Sequence, residues 1–396
     1  MSGRAPQERH WVLGVDSGGS GLRVALAAGP DAGPCQGGAV PAVGATRSAR
    51  PVRTGPGGID AAEFLDRLLP AARELMREAG AGRIAAIAVG AAGMATLGGG
   101  LRSGLPGPLA RELGARWLAL AADAVTAYAG ALGPRPGVVV AAGTGLIALG
   151  TDLRSWRRAD GWGHLLGDCG SGAWIGRAGL EAALRAHDGR RGGSRALLAR
   201  TEAVLGPAAE VPGLVYPRSD RPAVLASFAP EVARAAAGGD TVADRILREA
   251  AGHIADAAAA ACPDGPHAPR APDATGATGA TDATTAPGTL NAVDSPGAAD
   301  TPGDSCTKGP APGGGAAWSP EVALTGGLLK LGDPLLVPLR AELARQLPHA
   351  RLVPAAGDPL RGAVVIASAL ATGDVRLPVD GRLLHVRPAT GTGQVD

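Results

Sequence analysis

The sequence predicts an α/β protein made of two similar halves, and two glycine-rich hairpins and one amphipathic helix carry this prediction. Residues 11–29 contain an apolar strand, the turn Gly19-Ser20-Gly21-Leu22 and a second apolar strand. Residues 137–150 repeat this design around Gly143-Thr144-Gly145-Leu146. Apolar side chains in residues 60–79 follow helical spacing. Strands that alternate with helices are typical of α/β proteins, and the repeated hairpin indicates halves that face one another.

The N-terminal half continues with clear boundary signals. Asp60 is a good N-cap for the helix over 60–79, and Gly80 is a good stop. Residues 83–93 predict a buried strand. Residues 115–132 predict a strand that ends near Asp123 and then a short helix.

The C-terminal half predicts more helices. Residues 171–188 predict one helix, and residues 222–261 predict two Ala-rich helices divided at 238–240. Residues 319–347 predict a strand, a Gly-Gly turn and a helix, and residues 358–371 predict another helix.

One segment, residues 263–317, has a low-complexity composition. Leu290 and Val293 are its only large aliphatic residues. Such a segment buries too little apolar surface to offset the entropy lost on ordering. We therefore expect a disordered insertion.

The composition excludes several classes of protein. Lys and Arg number 38 against 36 Asp and Glu, and aromatic residues make up 3% of the chain, so no basic and aromatic nucleic-acid surface is expected. No apolar run is long enough for a membrane span. The first ten residues, MSGRAPQERH, lack the apolar core of a signal peptide. We expect a cytoplasmic protein with neither a nucleic acid nor a membrane as partner.

Asp16 and the turn after it predict a site for phosphate and metal. Asp16 ends the first strand and precedes Ser17-Gly18-Gly19-Ser20-Gly21. Glycine turns bring backbone N–H groups close to phosphate oxygens, and an Asp beside them can hold hydrated Mg²⁺. The turn is neither a Walker A loop nor a dinucleotide fingerprint, because no Gly-Lys-Ser/Thr follows and the turn leads into a strand. An ordinary hairpin turn is the alternative.

Two further glycine turns and a second carboxylate extend this pattern. Gly143-Thr144-Gly145 is a second candidate phosphate turn, and Gly326-Gly327 would let an adenine ring lie against backbone. Together the turns suggest a nucleotide clamped across a cleft. Asp123, at a strand end, could take the proton of an attacking hydroxyl. The alternative for Asp123 is a helix N-cap.

These motifs resemble the N-acetylglucosamine kinase / BadF–BadG–BcrA–BcrD ATPase family, within the actin–hexokinase–Hsp70 superfamily. Five segments match in family order: GVDSGGSGLRVAL, AADAVTAYAGAL, VVVAAGTGLIALG, DGWGHLLGDCGSGAWIGRAGLEAAL and LTGGLLKLGDPLL. The fourth, within residues 160–184, is the most specific, since the superfamily shares the glycine turns.

The resemblance implies two ribonuclease-H-like domains, an actin-like ATPase fold, around a nucleotide cleft. The first domain would span 1–116 and the second 117–357, with the insertion at 263–317 inside the second. A C-terminal helix over 358–385 would pack back on the first domain. Relatives of this kind are often dimers, so a homodimer is an expectation of the resemblance alone.

The resemblance also implies an activity and a set of site residues. The activity is transfer of phosphate from ATP, with Mg²⁺, to an amino sugar such as N-acetylglucosamine, at the 6-hydroxyl. Asp16 would organise the metal, and Asp123 would be the catalytic base. The residues implied in sugar binding are Gly161, Trp162 and Asp168. The residues implied in nucleotide binding are Gly18, Gly19, Ser20, Gly143, Thr144, Gly145, Gly326 and Gly327.

Three departures from the family pattern concern the acceptor. Leu146 stands where the family has Ser, Cys169 stands where Glu is usual, and residues 53–58 (RTGPGG) lack the Asn of a sugar-binding Thr-Asn pair. Losing one charge-assisted contact costs roughly 1.5–3 kcal/mol. The departures therefore indicate a different sugar or a degraded site.

Two alternative functions are compatible with the sequence. One is a BadF-type ATPase that drives electron transfer through a cysteine-held iron–sulfur cluster. Cys169 lies in the sugar motif, while Cys262 and Cys306 flank or lie in the insertion, which does not fit such a cluster. The other is a non-catalytic sugar sensor, against which the retention of Asp16 and Asp123 argues.

Overall fold

The structure is a computed structural model that describes residues 10–18, 21–29, 42–47, 52, 54–55, 58–94, 98–265 and 318–389. Two predicted nucleotide-binding residues, Gly19 and Ser20, lie outside the described residues. So does the predicted insertion from residue 266 to residue 317.

The first sheet has six strands in the order β13-β7-β6-β1-β2-β3. These strands are β1 (Trp11–Gly18), β2 (Gly21–Ala28), β3 (Ala42–Arg47), β6 (Ile84–Ala91), β7 (Trp117–Ala122) and β13 (Leu384–Pro388). β1 and β2 form the predicted antiparallel hairpin, and β6 and β7 continue parallel to β1. A small separate pair consists of β4 (Thr54–Gly55) and β5 (Gly58–Ile59).

The second sheet has five strands in the order β10-β9-β8-β11-β12. They are β8 (Gly137–Ala142), β9 (Leu146–Thr151), β10 (Trp156–Asp160), β11 (Glu321–Thr325) and β12 (Arg351–Pro354). β8 and β9 form the second antiparallel hairpin, and β11 and β12 continue parallel to β8. Both sheets therefore follow one plan. The first strand of the hairpin pairs with the second strand on one side, and parallel strands extend the sheet on its other side. The α/β prediction with two similar halves is confirmed.

Helices pack on both sheets. Those of the first half are α1 (Ala61–Ala79), α2 (Gly99–Gly104), α3 (Pro106–Leu113) and α4 (Asp123–Ala131). Those that follow are α5 (Gly172–His187), α6 (Arg195–Leu205), α7 (Val211–Val215), α8 (Arg221–Ser227), α9 (Ala229–Ala237), α10 (Thr241–Ala261), α11 (Asp333–Gln346) and α12 (Pro359–Thr372). Short 3₁₀ turns cover Ala208–Glu210 and Gly327–Leu331. In the described ranges, no helix combines the length and the apolar character that a membrane crossing needs.

Local capping explains where the helices begin and end. The Asp60 carboxylate accepts the N–H groups of Ala62 and Glu63 at 2.9 and 3.0 Å, so α1 starts as predicted. Gly80 closes α1 in the left-handed conformation at φ 65°. The Ser171 hydroxyl accepts the N–H of Trp174 at 3.2 Å and caps α5.

The region 222–261 forms three helices rather than the two predicted. An extra break falls at Phe228, between α8 and α9. Pro230 lies in the first turn of α9, where its missing N–H costs nothing, and it could not continue the hydrogen bonding of α8. The predicted division at 238–240 is present.

The C-terminal segment packs on the first sheet, and it is a helix followed by a strand, not the single helix over 358–385 that was predicted. α12 lies against β1, where a Cβ on Gly14 would come within 2.6 Å of the Val364 side chain. Gly373, at φ 72°, ends the helix. β13 then adds to the outer side of β7 in antiparallel register.

The two-domain division stays a prediction, and strand pairing bears on its boundary. Residues 117–122, which that division gives to the second domain, form β7 of the first sheet. The parallel pairing of β6 with β7 places any boundary after this strand, because the pairing continues the sheet past residue 116.

Candidate active site

A cleft of about 990 Å³ is lined by residues from both sheets and from the loops at their strand ends. The predicted site residues that line it are Asp16, Gly18, Asp123, Gly143, Thr144, Gly145, Gly161, Asp168, Gly326 and Gly327. Trp162 is absent from this lining. The structure therefore brings most of the sequence-predicted site residues to one place.

Asp16 is held by an arginine that the sequence reasoning did not single out. In the β1–β2 hairpin Asp16 is paired with Arg23, which puts the two side chains on one face. Nε and Nη2 of Arg23 donate to Oδ2 of Asp16 at 3.0 and 2.5 Å. Nη1 of Arg23 donates to Oδ2 of Asp358 at 2.5 Å. The available signal was the hairpin register, which places residue 23 opposite residue 16.

The two carboxylates that share Arg23 differ in acidity. Burial raises the pKa of Asp16 above its usual value, and the hydrogen bonds and charge of Arg23 oppose this only in part. Burial also acts to raise the pKa of Asp358, but the N–H of Arg361 and the Arg23 guanidinium outweigh it and hold the pKa below its usual value. Asp358 is thus the more firmly ionised of the two.

The donor set at Asp16 fits a magnesium ion carried by a nucleotide. Among the described residues, none donates a hydrogen bond to Oδ1 of Asp16. Within those same ranges no three His, Cys, Asp or Glu side chains form a metal-binding group. Mg²⁺ is commonly held by one or two carboxylates together with water and substrate phosphates. The Asp16 carboxylate, which lines the cleft together with the glycine turns, matches that arrangement.

Asp123 lies at the start of α4, directly after β7, and its carboxylate is open to the cleft. Its Oδ1 accepts the N–H of the next residue, Ala124, at 2.9 Å. The N-cap of α4 is Ala122, so Asp123 does not fill the capping role that was its alternative. Burial raises the pKa of Asp123 and the Asp16 charge adds to this, whereas the Ala124 N–H and Arg158 oppose it.

The second glycine turn is braced by the N-terminus of α5. The N–H groups of Gly172 and Ala173 donate to the carbonyls of Gly143 and Thr144 at 2.9 and 3.0 Å. The N–H groups of Thr144 and Gly145 donate to no other described residue. A braced turn with free N–H groups on a cleft wall can accept a phosphate.

Asp168 is fixed against the same turn by backbone contacts. Its carboxylate accepts the N–H groups of Leu146 and Gly163, the latter at 3.3 Å. A Cβ on Gly145 would come within 2.6 Å of its Oδ2, so glycine is needed for this approach. Burial raises the pKa of Asp168, and the two N–H groups oppose the rise.

Asp160 shapes the loop that carries Asp168. Its carboxylate accepts the N–H of Asp168 at 2.7 Å and the N–H of Cys169 at 2.9 Å. Both Asp160 and Asp168 have positive φ, 58° and 55°, a conformation that Asp tolerates better than most residues. The sequence reasoning missed Asp160, because it ends β10, whose sequence WRRAD is not an apolar run that would mark a strand end.

Trp162 and Cys169 lie outside the cleft lining. The Trp162 side chain is 66% exposed, and the Arg158 guanidinium lies 4.5 Å from its ring centroid. Cys169 is half-buried and does not line the cleft. Leu146, the other departure from the family pattern, does line the cleft.

The third glycine turn, Gly326-Gly327, lies against the end of β8. Gly326 has φ 107°, and a Cβ there would meet the Ala142 carbonyl oxygen at 2.1 Å. A Cβ on Gly327 would meet nothing within 4 Å. Lys330, in the 3₁₀ turn that follows, also lines the cleft and was not predicted.

Known proteins resemble this chain in sequence. A stretch of 133 residues is 35% identical to an N-acetylmuramic acid/N-acetylglucosamine kinase of Clostridium acetobutylicum. That stretch covers 33% of this chain and 43% of the relative, so the match spans less than half of the relative's length.

Solved structures share the fold. A candidate N-acetylglucosamine kinase from Chromobacterium violaceum superposes with a TM-score of 0.58 at 24% identity, over 90% of this chain and 99% of that one. A second candidate N-acetylglucosamine kinase, from Porphyromonas gingivalis, gives a TM-score of 0.52 at 14% identity, over 90% and 97%. These similarities support the predicted α/β fold.

The family itself follows from the longest match. The model of the BadF/BadG/BcrA/BcrD ATPase family matches residues 13–267, which is more than half of the chain. The matched range includes Asp16, Asp123, the second glycine turn and Asp168. The chain belongs to the BadF/BadG/BcrA/BcrD ATPase family.

Proposed function

We propose that this protein transfers the γ-phosphate of ATP to a hydroxyl of an amino sugar, N-acetylglucosamine or a closely related sugar. One observation carries the proposal: a single cleft holds the carboxylates of Asp16, Asp123 and Asp168 together with two glycine turns. Phosphoryl transfer needs positioned phosphates, a charge-neutralising metal and a base at the acceptor hydroxyl. The cleft offers groups suited to each task.

The nucleotide end of the cleft would be formed by the glycine turns. The free N–H groups of Thr144 and Gly145 suit phosphate oxygens, and the bare backbone at Gly327 leaves room for a flat base. Mg²⁺, when bound beside Asp16, would neutralise charge on the phosphates.

Asp123 would act as the general base. The acceptor oxygen attacks the γ-phosphorus, its proton passes to the Asp123 carboxylate, and ADP leaves with the electron pair of the broken P–O bond. A carboxylate whose pKa is raised by burial and by Asp16 takes a proton more readily than an ordinary Asp.

Asp168 would accept a hydrogen bond from a hydroxyl of the acceptor sugar. Two backbone N–H groups fix its position, and as an ionised carboxylate it accepts further hydrogen bonds. The Clostridium relative is named for two amino sugars, N-acetylmuramic acid and N-acetylglucosamine, which supports an acceptor of this class. The 6-hydroxyl is the reacting group we propose.

An assay of ADP release over a panel of sugars tests the function. We expect turnover that depends on an amino sugar and is lost in Asp123→Ala, while nucleotide binding persists. ADP release that ignores every sugar would instead support an ATPase of the electron-transfer type. Nucleotide binding without any turnover would support a sensor.

A further inference from the structure

The guanidinium of Arg23 forms hydrogen bonds with two carboxylates, one on each side. The Nε and Nη2 edge donates to Asp16 at 3.0 and 2.5 Å, and Nη1 donates to Asp358 at 2.5 Å. The Arg23 side chain is 20% exposed, and all three residues line the cleft. The guanidinium therefore has a fixed place beside the carboxylate proposed to organise Mg²⁺.

Asp358 is anchored independently of Arg23. It is the N-cap of α12, and its Oδ1 accepts the N–H of Arg361 at 3.0 Å, which leaves Oδ2 for Arg23. Its carbonyl oxygen packs against α4, where a Cβ on Gly130 would come within 2.1 Å. The capping bond and this close helix contact both hold Asp358 without the help of Arg23.

Asp16 is the more replaceable of the two partners. Among the described residues, Asp16 is held by Arg23 through Oδ2 alone, whereas Asp358 has its capping bond and its helix contact as well. A phosphate group offers the Nε and Nη2 edge two oxygens in the paired geometry that a guanidinium prefers. If a phosphate replaced Asp16 as the acceptor of the Nε and Nη2 edge, the Asp16 carboxylate would be released from Arg23. Nη1 would still donate to Asp358.

We propose that Asp358 is a positioning residue, which holds Arg23 by Nη1 so that its other edge passes from Asp16 to the phosphates of the nucleotide. The inference rests on the nucleotide binding of the proposed function and adds a residue from the far end of the chain to it. In this account Asp358 touches neither substrate nor metal and acts through Arg23.

Titration calorimetry with a non-hydrolysable ATP analogue and Mg²⁺ tests this role. In Asp358→Ser the hydroxyl still caps α12 but is too short to reach Arg23. Asp60→Ser is the matched control, because Asp60 caps α1 in the same way and lies outside the cleft lining. Arg23→Met and the Arg23→Met/Asp358→Ser double variant complete the set.

We expect Asp358→Ser to weaken analogue binding by about tenfold or more, as loss of a charge-assisted contact would. Asp60→Ser should bind like the wild type. In the Arg23→Met background, adding Asp358→Ser should change the affinity little, because the positioned group is already gone. A purely structural cap would give the same loss in both backgrounds.

Three results would overturn the inference in different ways. Wild-type affinity in Asp358→Ser, or an undiminished effect in the Arg23→Met background, refutes the positioning role and leaves the proposed function standing. If the wild type itself binds no nucleotide, both fail together. Should Asp358→Ser fold poorly, Asp358→Asn keeps the cap through its amide oxygen and turns towards Arg23 an amide nitrogen, which cannot accept from Nη1. It must then show the same dependence on Arg23.

Discussion

Asp16 at the end of β1 and Asp123 just after β7 both line the cleft. The strand β6 lies between β1 and β7, and it carries Gly90. On β6, Gly90 is paired with Asp16 of β1 and with Ala121 of β7. The space for a side chain at Gly90 is filled by Thr126, whose Oγ1 would lie 2.5 Å from a Cβ there. Thr126 also donates to the carbonyl of Asp123 at 2.9 Å. Gly90 thus leaves room for Thr126, which in turn bonds the first turn of α4 at Asp123.

Gly90→Ala should therefore lower kcat more than it lowers affinity for nucleotide. The added methyl pushes Thr126 outwards and with it the first turn of α4, which carries Asp123. Overpacking of this kind costs about 1–3 kcal/mol of stability. Steady-state kinetics and thermal unfolding measure the two effects.

Gly252→Ala is the matched control for this substitution. Gly252 lies inside α10 and a Cβ there meets nothing within 4 Å, so Ala should stabilise by about 0.5–1 kcal/mol without changing turnover. A Gly90→Ala enzyme with wild-type kcat would show that Gly90 does not set the position of Asp123.

The pH dependence of turnover should report the environment of Asp123. The base works only when ionised, and burial together with Asp16 raises its pKa. Activity should accordingly fall with decreasing pH at a higher pH than the usual acidity of Asp would give. Arg158 acts in the opposite direction on this pKa, so Arg158→Met should raise it further and move the acid limb of kcat/KM to higher pH.

Arg154→Met serves as the control for the pH profile. Arg154 is an exposed residue of the turn between β9 and β10 and does not contribute to the pKa of Asp123. Its removal should leave the acid limb in place. An acid limb that stays put in Arg158→Met, or one that moves equally in both variants, would contradict the assignment of this limb to Asp123.

Much of the fold follows from local sequence signals. Hairpins with glycine turns, the caps at Asp60 and Ser171, and the stop at Gly80 need only short-range chemistry, and all are present. The end of the C-terminal helix was harder to predict. The edge strand β13 forms only because β7 offers a free side for pairing, which is a long-range contact.

The candidate site was predictable where a motif carries it and not where pairing does. Asp16, Asp123 and the glycine turns stand out because each follows an apolar strand. Arg23 and Asp358 lie 335 positions apart, and nothing in either neighbourhood connects them. Trp162 also lies in a motif, but its ring is exposed beside Arg158 and outside the cleft lining, so its sugar contact stays a prediction.

Gly326 and Gly327 should respond differently to the same substitution. Gly326→Ala meets a positive φ of 107° and a carbonyl oxygen at 2.1 Å, so it should cost about 1–3 kcal/mol or more and lower the melting temperature. Gly327→Ala meets no neighbour, so its fold should be intact. Because Gly327 lines the cleft, its methyl should still weaken ATP binding.

Thermal unfolding and nucleotide titration separate these two effects. Gly327 variants with wild-type stability and reduced affinity would place the nucleotide against this turn. Unchanged affinity in Gly327→Ala, or even in a bulkier Gly327→Val protein that still folds, would move the base elsewhere in the cleft.

Asp160→Ala should weaken the acceptor site and spare the nucleotide site. The Asp160 carboxylate accepts hydrogen bonds from the N–H groups of Asp168 and Cys169. Without this carboxylate both N–H groups lose their acceptor, and we expect the loop to relax. These N–H groups are part-buried, and loss of their acceptor should let the loop move Asp168 away from the acceptor, so we expect the KM for sugar to rise about tenfold. Asp152→Ala is the control, since Asp152 accepts two N–H groups at 2.9 and 3.0 Å in a turn outside the cleft lining. A sugar KM that rises equally in both variants would mean that general loosening, and not the placement of Asp168, governs acceptor binding.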